Sequence, residues 1–160
     1  MKKHLSVTGI GPFYVTIIGV LTLLGYLCTK YHFIPKHDIL ANKTIIIILG
    51  LILIFLGIYI WACAFFKAKI GNHILNNHLV TDGIYAWVRN PIYTAFMFAA
   101  WGLILLINNL YILPLCLLYW LILTIMLKPT EEKWLKELYG QEYIDYMQHV
   151  NRCLPWFPKQ

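Results

Sequence analysis

Charge is what this sequence has least of: of its 160 residues only 12% are Asp, Glu, Lys or Arg, against 60% hydrophobic. Too few polar side chains remain to cover a water-soluble globule of this length, which excludes an aqueous domain and makes a lipid bilayer the fitting solvent. Acidic residues are scarcest, seven against thirteen Lys and Arg, for a formal net charge of +6. That excess is no nucleic-acid footprint, because the basic residues are scattered at the ends of apolar runs instead of gathered on one face. No CxxC or other metal spacing links Cys28, Cys63, Cys116 and Cys153; the first three lie in apolar runs, where cysteine behaves as a small hydrophobe. Ser- or Gly-rich linkers, low-complexity tracts and internal repeats are also missing, so residues 1–160 read as a single membrane domain.

What the chain does have is long uncharged runs. Residues 10–29 and 44–66 carry no charge, and about 20 apolar residues in a helix match a hydrocarbon core about 30 Å thick. The first run lacks the small-residue cleavage site of a secretory leader, so it is expected to remain as a transmembrane helix. Tyr59 and Trp61 close the second near Lys67 and Lys69, as in an interfacial aromatic belt. Small residues there, Gly50 and Gly57, suit helix contacts within or between chains. From Asn90 to Leu127 no charge occurs, and one helix of that length would reach about 57 Å, nearly twice the bilayer core. The run must fold back, and Asn108-Asn109 is its only polar pair. A helical hairpin with spans near 91–107 and 110–128 follows, with Pro114 early in the second limb.

Four spans place the amino terminus, the 67–90 loop and the tail 129–160 on one side of the bilayer. That side holds Lys2, Lys3, Lys67, Lys69, Arg89, Lys128, Lys133, Lys136, Arg152 and Lys159, against Lys30, Lys36 and Lys43 opposite, so both termini are expected to be cytoplasmic. After the last span EEKWLKELYG reads as a short helix opened by acids and closed by Gly140. A second helix from about Glu142 to Val150 puts Tyr143, Tyr146, Met147 and Val150 on one face. The expected fold is all-α: a polytopic helical bundle of about four transmembrane helices, with a C-terminal hairpin and cytoplasmic C-terminal helices.

The polar signals concentrate in the loop LVTDGIYAWVRNPIY (79–93), the pair Glu131-Glu132 and the tail EYIDYMQHVNRCLPW. A hairpin brings Arg89, at the mouth of one limb, close to the carboxylate pair at the mouth of the other. His73 and His78 have no third ligand and read as loop residues; His4, His32, His37 and His149 are isolated. The Gly71-Asn72-His73 backbone is a candidate for close approach to a cofactor.

In this order the elements Leu79-Val80-Thr81, Gly83, Tyr85, Val88-Arg89-Asn90-Pro91, Tyr93, a charge-free hairpin, Glu131-Glu132, Tyr143, Tyr146, Arg152 and Pro155 resemble the isoprenylcysteine carboxyl methyltransferases and the related phospholipid methyltransferases. The departure is Asn90, where that family usually has histidine. The resemblance implies transfer of a methyl group from S-adenosyl-L-methionine to a lipophilic acceptor, a prenylated cysteine or a lipid, with no metal. It implies Arg89 and Glu132 as catalytic residues and Leu79, Val80, Gly83, Tyr85, Arg89, Asn90, Pro91, Tyr93, Glu131 and Glu132 around the cofactor. Tyr143, Tyr146 and Arg152 are implied at the acceptor. Such a cofactor carries two cationic groups and a carboxylate, which acids, aromatic faces and an arginine suit. An acceptor carboxylate is already ionised and needs no general base, whereas a phospholipid amine must first lose a proton. Asparagine cannot titrate, which favours the carboxylate. The alternatives are a phospholipid amine methyltransferase, an NADPH-dependent sterol or lipid reductase, and an inactive membrane scaffold.

Overall fold

The computed structural model describes residues 9–67 and 79–157. In chain order these form α1 (Gly11–Lys30), α2 (Lys43–Ala62), a π-helical turn (Cys63–Lys67), a 3-10 turn (Gly83–Ala86) and α3 (Pro91–Ile107). A 3-10 turn (Leu110–Ile112), α4 (Leu115–Leu127), α5 (Glu131–Tyr139) and α6 (Gln141–His149) follow. The expectations for His73, His78 and the Gly71-Asn72-His73 backbone lie outside the described residues.

Three helices are long and apolar enough to cross a membrane, Gly11–Lys30, Lys43–Phe66 and Leu110–Leu127, and α3 is a shorter apolar helix between them. The chain is an all-helical integral membrane bundle. With 17 residues, α3 rises about 26 Å, a little under the hydrocarbon thickness. Its position compensates, because α3 is the inner helix: Met97 and Ile104 are completely buried, while α2 turns Ile52, Phe55 and Tyr59 outward. Glycines permit that nesting. A methyl group at Gly57 would stand 2.7 Å from the Ala95 carbonyl oxygen, and one at Gly102 would stand 2.5 Å from that of Gly50. The two backbones therefore touch where small residues allow it.

The fold-back occurs at the asparagine pair. Asn108 takes a left-handed conformation (φ 50°, ψ 54°) and ends α3, a geometry asparagine tolerates better than most residues. Its Oδ1 accepts from Ile39 N at 2.9 Å, and the Asn109 side-chain amide donates to Thr29 Oγ1 and the Pro35 carbonyl, each at 3.1 Å. The same two residues thus make the turn and tie down the loop after α1. The fourth span, Leu110–Leu127, opens with a 3-10 turn, and its α-helical part begins at Leu115 with Pro114 at the N-cap. Inside the bundle several polar groups pair with one another, as lipid favours. Tyr14 donates to the Tyr119 carbonyl, and Thr22 Oγ1 lies 2.8 Å from the Tyr119 hydroxyl. Between α1 and α3 runs an apolar cavity of about 560 Å³ lined by Val15, Gly19, Leu23, Phe96, Ala99 and Leu103 among others.

Candidate functional site

At the end of the bundle where α3 begins, three charged side chains meet. Glu132, in the first turn of α5, accepts from Arg152 Nε at 2.6 Å and Nη2 at 2.9 Å, and its Oε1 forms an ion pair with Arg89 Nη2 at 3.1 Å. Side-chain exposure is 3% for Glu132, 6% for Arg89 and 21% for Arg152. Of the carboxylate pair expected beside Arg89, Glu132 meets it, and Arg152 joins them. A buried carboxylate needs such donors, since an unpaired ion out of water is costly. One acid faces two guanidinium groups, which leaves the cluster one positive charge in excess.

Arg89 is the incomplete member. Its Nε and Nη1 are buried and have no hydrogen-bond partner among the described residues, and a buried donor left open costs about 1–3 kcal/mol. Native structures rarely leave such groups without a purpose. Nε and Nη1 lie on different edges of the guanidinium, so each offers a single hydrogen bond, and these donors with that charge fit the oxygens of an anion such as a carboxylate.

Glu131 has a different task. Its Oε1 accepts from the Ile10 amide at 2.9 Å and also from the Tyr93 hydroxyl. The start of α1 has no side-chain cap of its own, so its exposed amides need an acceptor from elsewhere, and Glu131 is that acceptor. Oε2 of Glu131 receives no hydrogen bond from the described residues. Tyr143, almost fully buried, lies in the field of all four charged groups: burial pushes its hydroxyl up to about 12, with Arg89 and Arg152 pulling down and Glu132 and Glu131 pushing up. Burial also raises Tyr146, whose hydroxyl donates to the Tyr85 carbonyl at 2.6 Å. Arg152 is held more firmly protonated, first by its hydrogen bonds to Glu132.

The tail reaches the cluster through its backbone. Arg89 N donates to the Asn151 carbonyl at 2.9 Å, Asn90 N to the Arg152 carbonyl at 3.2 Å and Trp156 N to the Trp87 carbonyl at 3.2 Å. Asn90 Nδ2 adds a second bond to the Arg152 carbonyl at 3.0 Å, and Thr94 Oγ1 donates to the Cys153 carbonyl at 2.8 Å. The Asn90 amide thus holds the tail and does not turn into the charge cluster. Pro91 is buried at the first turn of α3, where its fixed φ suits the helix. Gly83 has φ +59° at the start of the turn that presents the Tyr85 carbonyl, a conformation open to glycine. Leu79 packs against Tyr143, Tyr146 and Val150, and Val80 is half-buried beside it.

Sequence reasoning expected Arg89 and Glu132 together, as the structure has them, but missed two contacts. The grip of Glu131 on α1 had one readable sign, an α1 start without Ser, Thr, Asp or Asn at its cap. The pairing of 151–156 with 87–90 had none, since backbone donors leave no mark in side-chain identity.

A family profile described as phospholipid methyltransferase matches residues 44–142. The protein-S-isoprenylcysteine O-methyltransferase of Xenopus laevis is 31% identical over 125 residues, covering 73% of this chain and 43% of that protein. The enzyme of the same name from Saccharomyces cerevisiae is 33% identical over 117 residues, 68% of this chain and 48% of its own. Methanethiol S-methyltransferase 1 of Bradyrhizobium diazoefficiens is 31% identical over 96 residues, 54% of this chain and 33% of its own. The chain spans less than half the length of each of these relatives.

Proposed function

The chain belongs to the phospholipid methyltransferase family, and from that premise we propose that it is a membrane methyltransferase using S-adenosyl-L-methionine, with the carboxylate of a prenylated cysteine as acceptor. The observation that carries this reading is Arg89: two buried donors without a partner among the described residues, in a cluster with surplus positive charge at the mouth of an apolar hairpin. When bound, the cofactor supplies a methyl group on a cationic sulfur. Arg89, through its open donors, would hold its carboxylate, Glu131 Oε2 would attract its cationic groups, and Tyr143 would offer an aromatic face among them. Glu132 fixes both guanidinium groups, so the open donors of Arg89 keep fixed directions. Leu79, Val80, Gly83 and Tyr85 form the wall facing α6, and Asn90, Pro91 and Tyr93 set the start of α3. Tyr146 and Arg152 border the acceptor's approach.

Methyl transfer is an in-line displacement, and alignment of the reacting groups can lower a barrier by about 7 kcal/mol or more. The residues described contribute positioning. A carboxylate acceptor arrives ionised and calls for no proton acceptor, which suits a site whose Asn90 amide is engaged with the tail. Two of the relatives above are named for an isoprenylcysteine acceptor. The apolar cavity between α1 and α3 offers room for a lipophilic chain. The basic residues on the site's side put this end, with both termini, in the cytoplasm.

Calorimetric titration of the purified chain in lipid nanodiscs tests the cofactor: S-adenosylhomocysteine is expected to bind and NADPH is not. Labelled methyl transfer to a farnesylcysteine analogue, run beside phosphatidylethanolamine, tests the acceptor. Labelling of the amine lipid alone would reverse that assignment, and binding of NADPH alone would overturn the enzyme class.

A further inference from the structure

Beyond the charge cluster, the tail ends in an unexplained apolar surface. Trp156 and Phe157 are 66% and 68% exposed and Trp87 is 42% exposed, although each is large enough to be worth burying. The ring of Phe157 lies 5.0 Å from that of Trp87, and the Trp156 amide is bonded to the Trp87 carbonyl. Three aromatics are thus held together by backbone pairing, not left on a loose end.

Their level along the bundle identifies what covers them. Trp87 precedes α3 by one turn of chain, where the helix meets its site-side end. The turn at 83–86 packs on the turn at 63–67, which closes α2 with the stacked, outward-facing pair Trp61 and Phe65, 5.2 Å apart. The tail aromatics therefore continue, at the same height, the outer surface of a lipid-facing helix. Amphipathic rings gather at this depth of a bilayer, between headgroup and acyl chain.

We propose that Trp156 and Phe157, with Trp87, are seated in the lipid interface on the site's side of the membrane, and that this seating holds the strand carrying Arg152 against Arg89 and Asn90. The bilayer is then a structural partner of the site as well as of the spans. This holds whatever chemistry the site performs.

Full-length protein in nanodiscs of phosphatidylcholine brominated high on the acyl chain, compared with unbrominated lipid, tests the seating. Trp156→Phe is expected to remove a lipid-quenched share of the tryptophan emission; an unchanged quenching ratio overturns the proposal. Amide exchange tests the coupling. With Trp156→Ser and Phe157→Ser combined, exchange at Arg89 and Asn90 is expected to rise on the order of tenfold, while the Trp156→Leu, Phe157→Leu pair keeps the parent rate and α2 and α3 remain protected in both. Equal protection of Arg89 and Asn90 in the polar and apolar pairs overturns the coupling. Neither measurement involves a methyl donor, so failure of the methyltransferase reading leaves both informative.

Discussion

Arg152 and Glu132, 20 residues apart in sequence, face each other with Nε on Oε1 at 2.6 Å and Nη2 on Oε2 at 2.9 Å. Two parallel bonds fix the plane of the carboxylate as well as its position. Arg89, reaching the same Oε1 at 3.1 Å, is thereby oriented by a residue on the tail that it does not touch through its side chain. The three groups act as one unit, and removing any member changes the environment of the other two.

Glu132→Gln leaves two guanidinium groups facing a neutral amide. Breaking a buried pair in this way costs about 3–5 kcal/mol, and a fall of that size in unfolding free energy is expected in detergent titrations. Binding of S-adenosylhomocysteine should fall with it, whereas parent-like stability would show that the ion pairs contribute little.

Arg89→Lys keeps the charge and loses the fork. The proposed carboxylate contact should weaken by about 1.5–3 kcal/mol, the range for a hydrogen bond to a charged group, read as a rise in the dissociation constant for S-adenosylhomocysteine. An unchanged constant removes Arg89 from the binding role.

Tyr93→Phe and Glu131→Gln strike the same link, because the hydroxyl and the carboxylate are bonded to each other. Their effects on stability should not add: a double-mutant cycle is expected to give a coupling of about 0.5–3 kcal/mol. Additivity within error would mean that the α1 start is held by something else.

Gly57→Ala and Gly102→Ala push a methyl group into the facing backbone, at 2.7 Å and 2.5 Å from carbonyl oxygens. Overpacking of this kind costs about 1–3 kcal/mol, so thermal midpoints should drop for both. Gly19→Ala is the control, since nothing lies within 4 Å of its added methyl group.

High pH should loosen the site end. Burial raises Tyr143 from 10.0 to about 12 and Cys153 from 9.0 to about 12. Below pH 9 both groups are protonated in folded and unfolded chains alike, and their contribution is complete. Between pH 9 and 12 the unfolded chain releases protons that the folded one retains, so stability falls as pH rises. Tyr143→Phe should make that fall shallower in pH-dependent unfolding.

The bundle was legible in the sequence because lipid leaves so few options. Three of the expected spans start or end within a residue or two of their helices, and Asn108-Asn109 is where the chain turns. The fourth, Leu110–Leu127, opens as a 3-10 turn because Pro114, at the N-cap of α4, has no amide hydrogen to carry an α-helix through. At the site, charge scarcity pointed to Arg89 and Glu132, since each such residue beside a membrane needs a partner. The roles of the two glutamates were not separable: adjacent positions on a helix point in different directions, and only the packing of α1 decides that Glu131 faces Ile10 and Tyr93.

Asn90 makes its contact without a group that titrates. Its amide reads the Arg152 carbonyl, a task for any neutral N–H at that spot, imidazole included. An imidazole there would gain or lose a proton within the physiological range; a carboxamide does not. The clasp between the loop and the chain's end is therefore indifferent to acidification of its compartment.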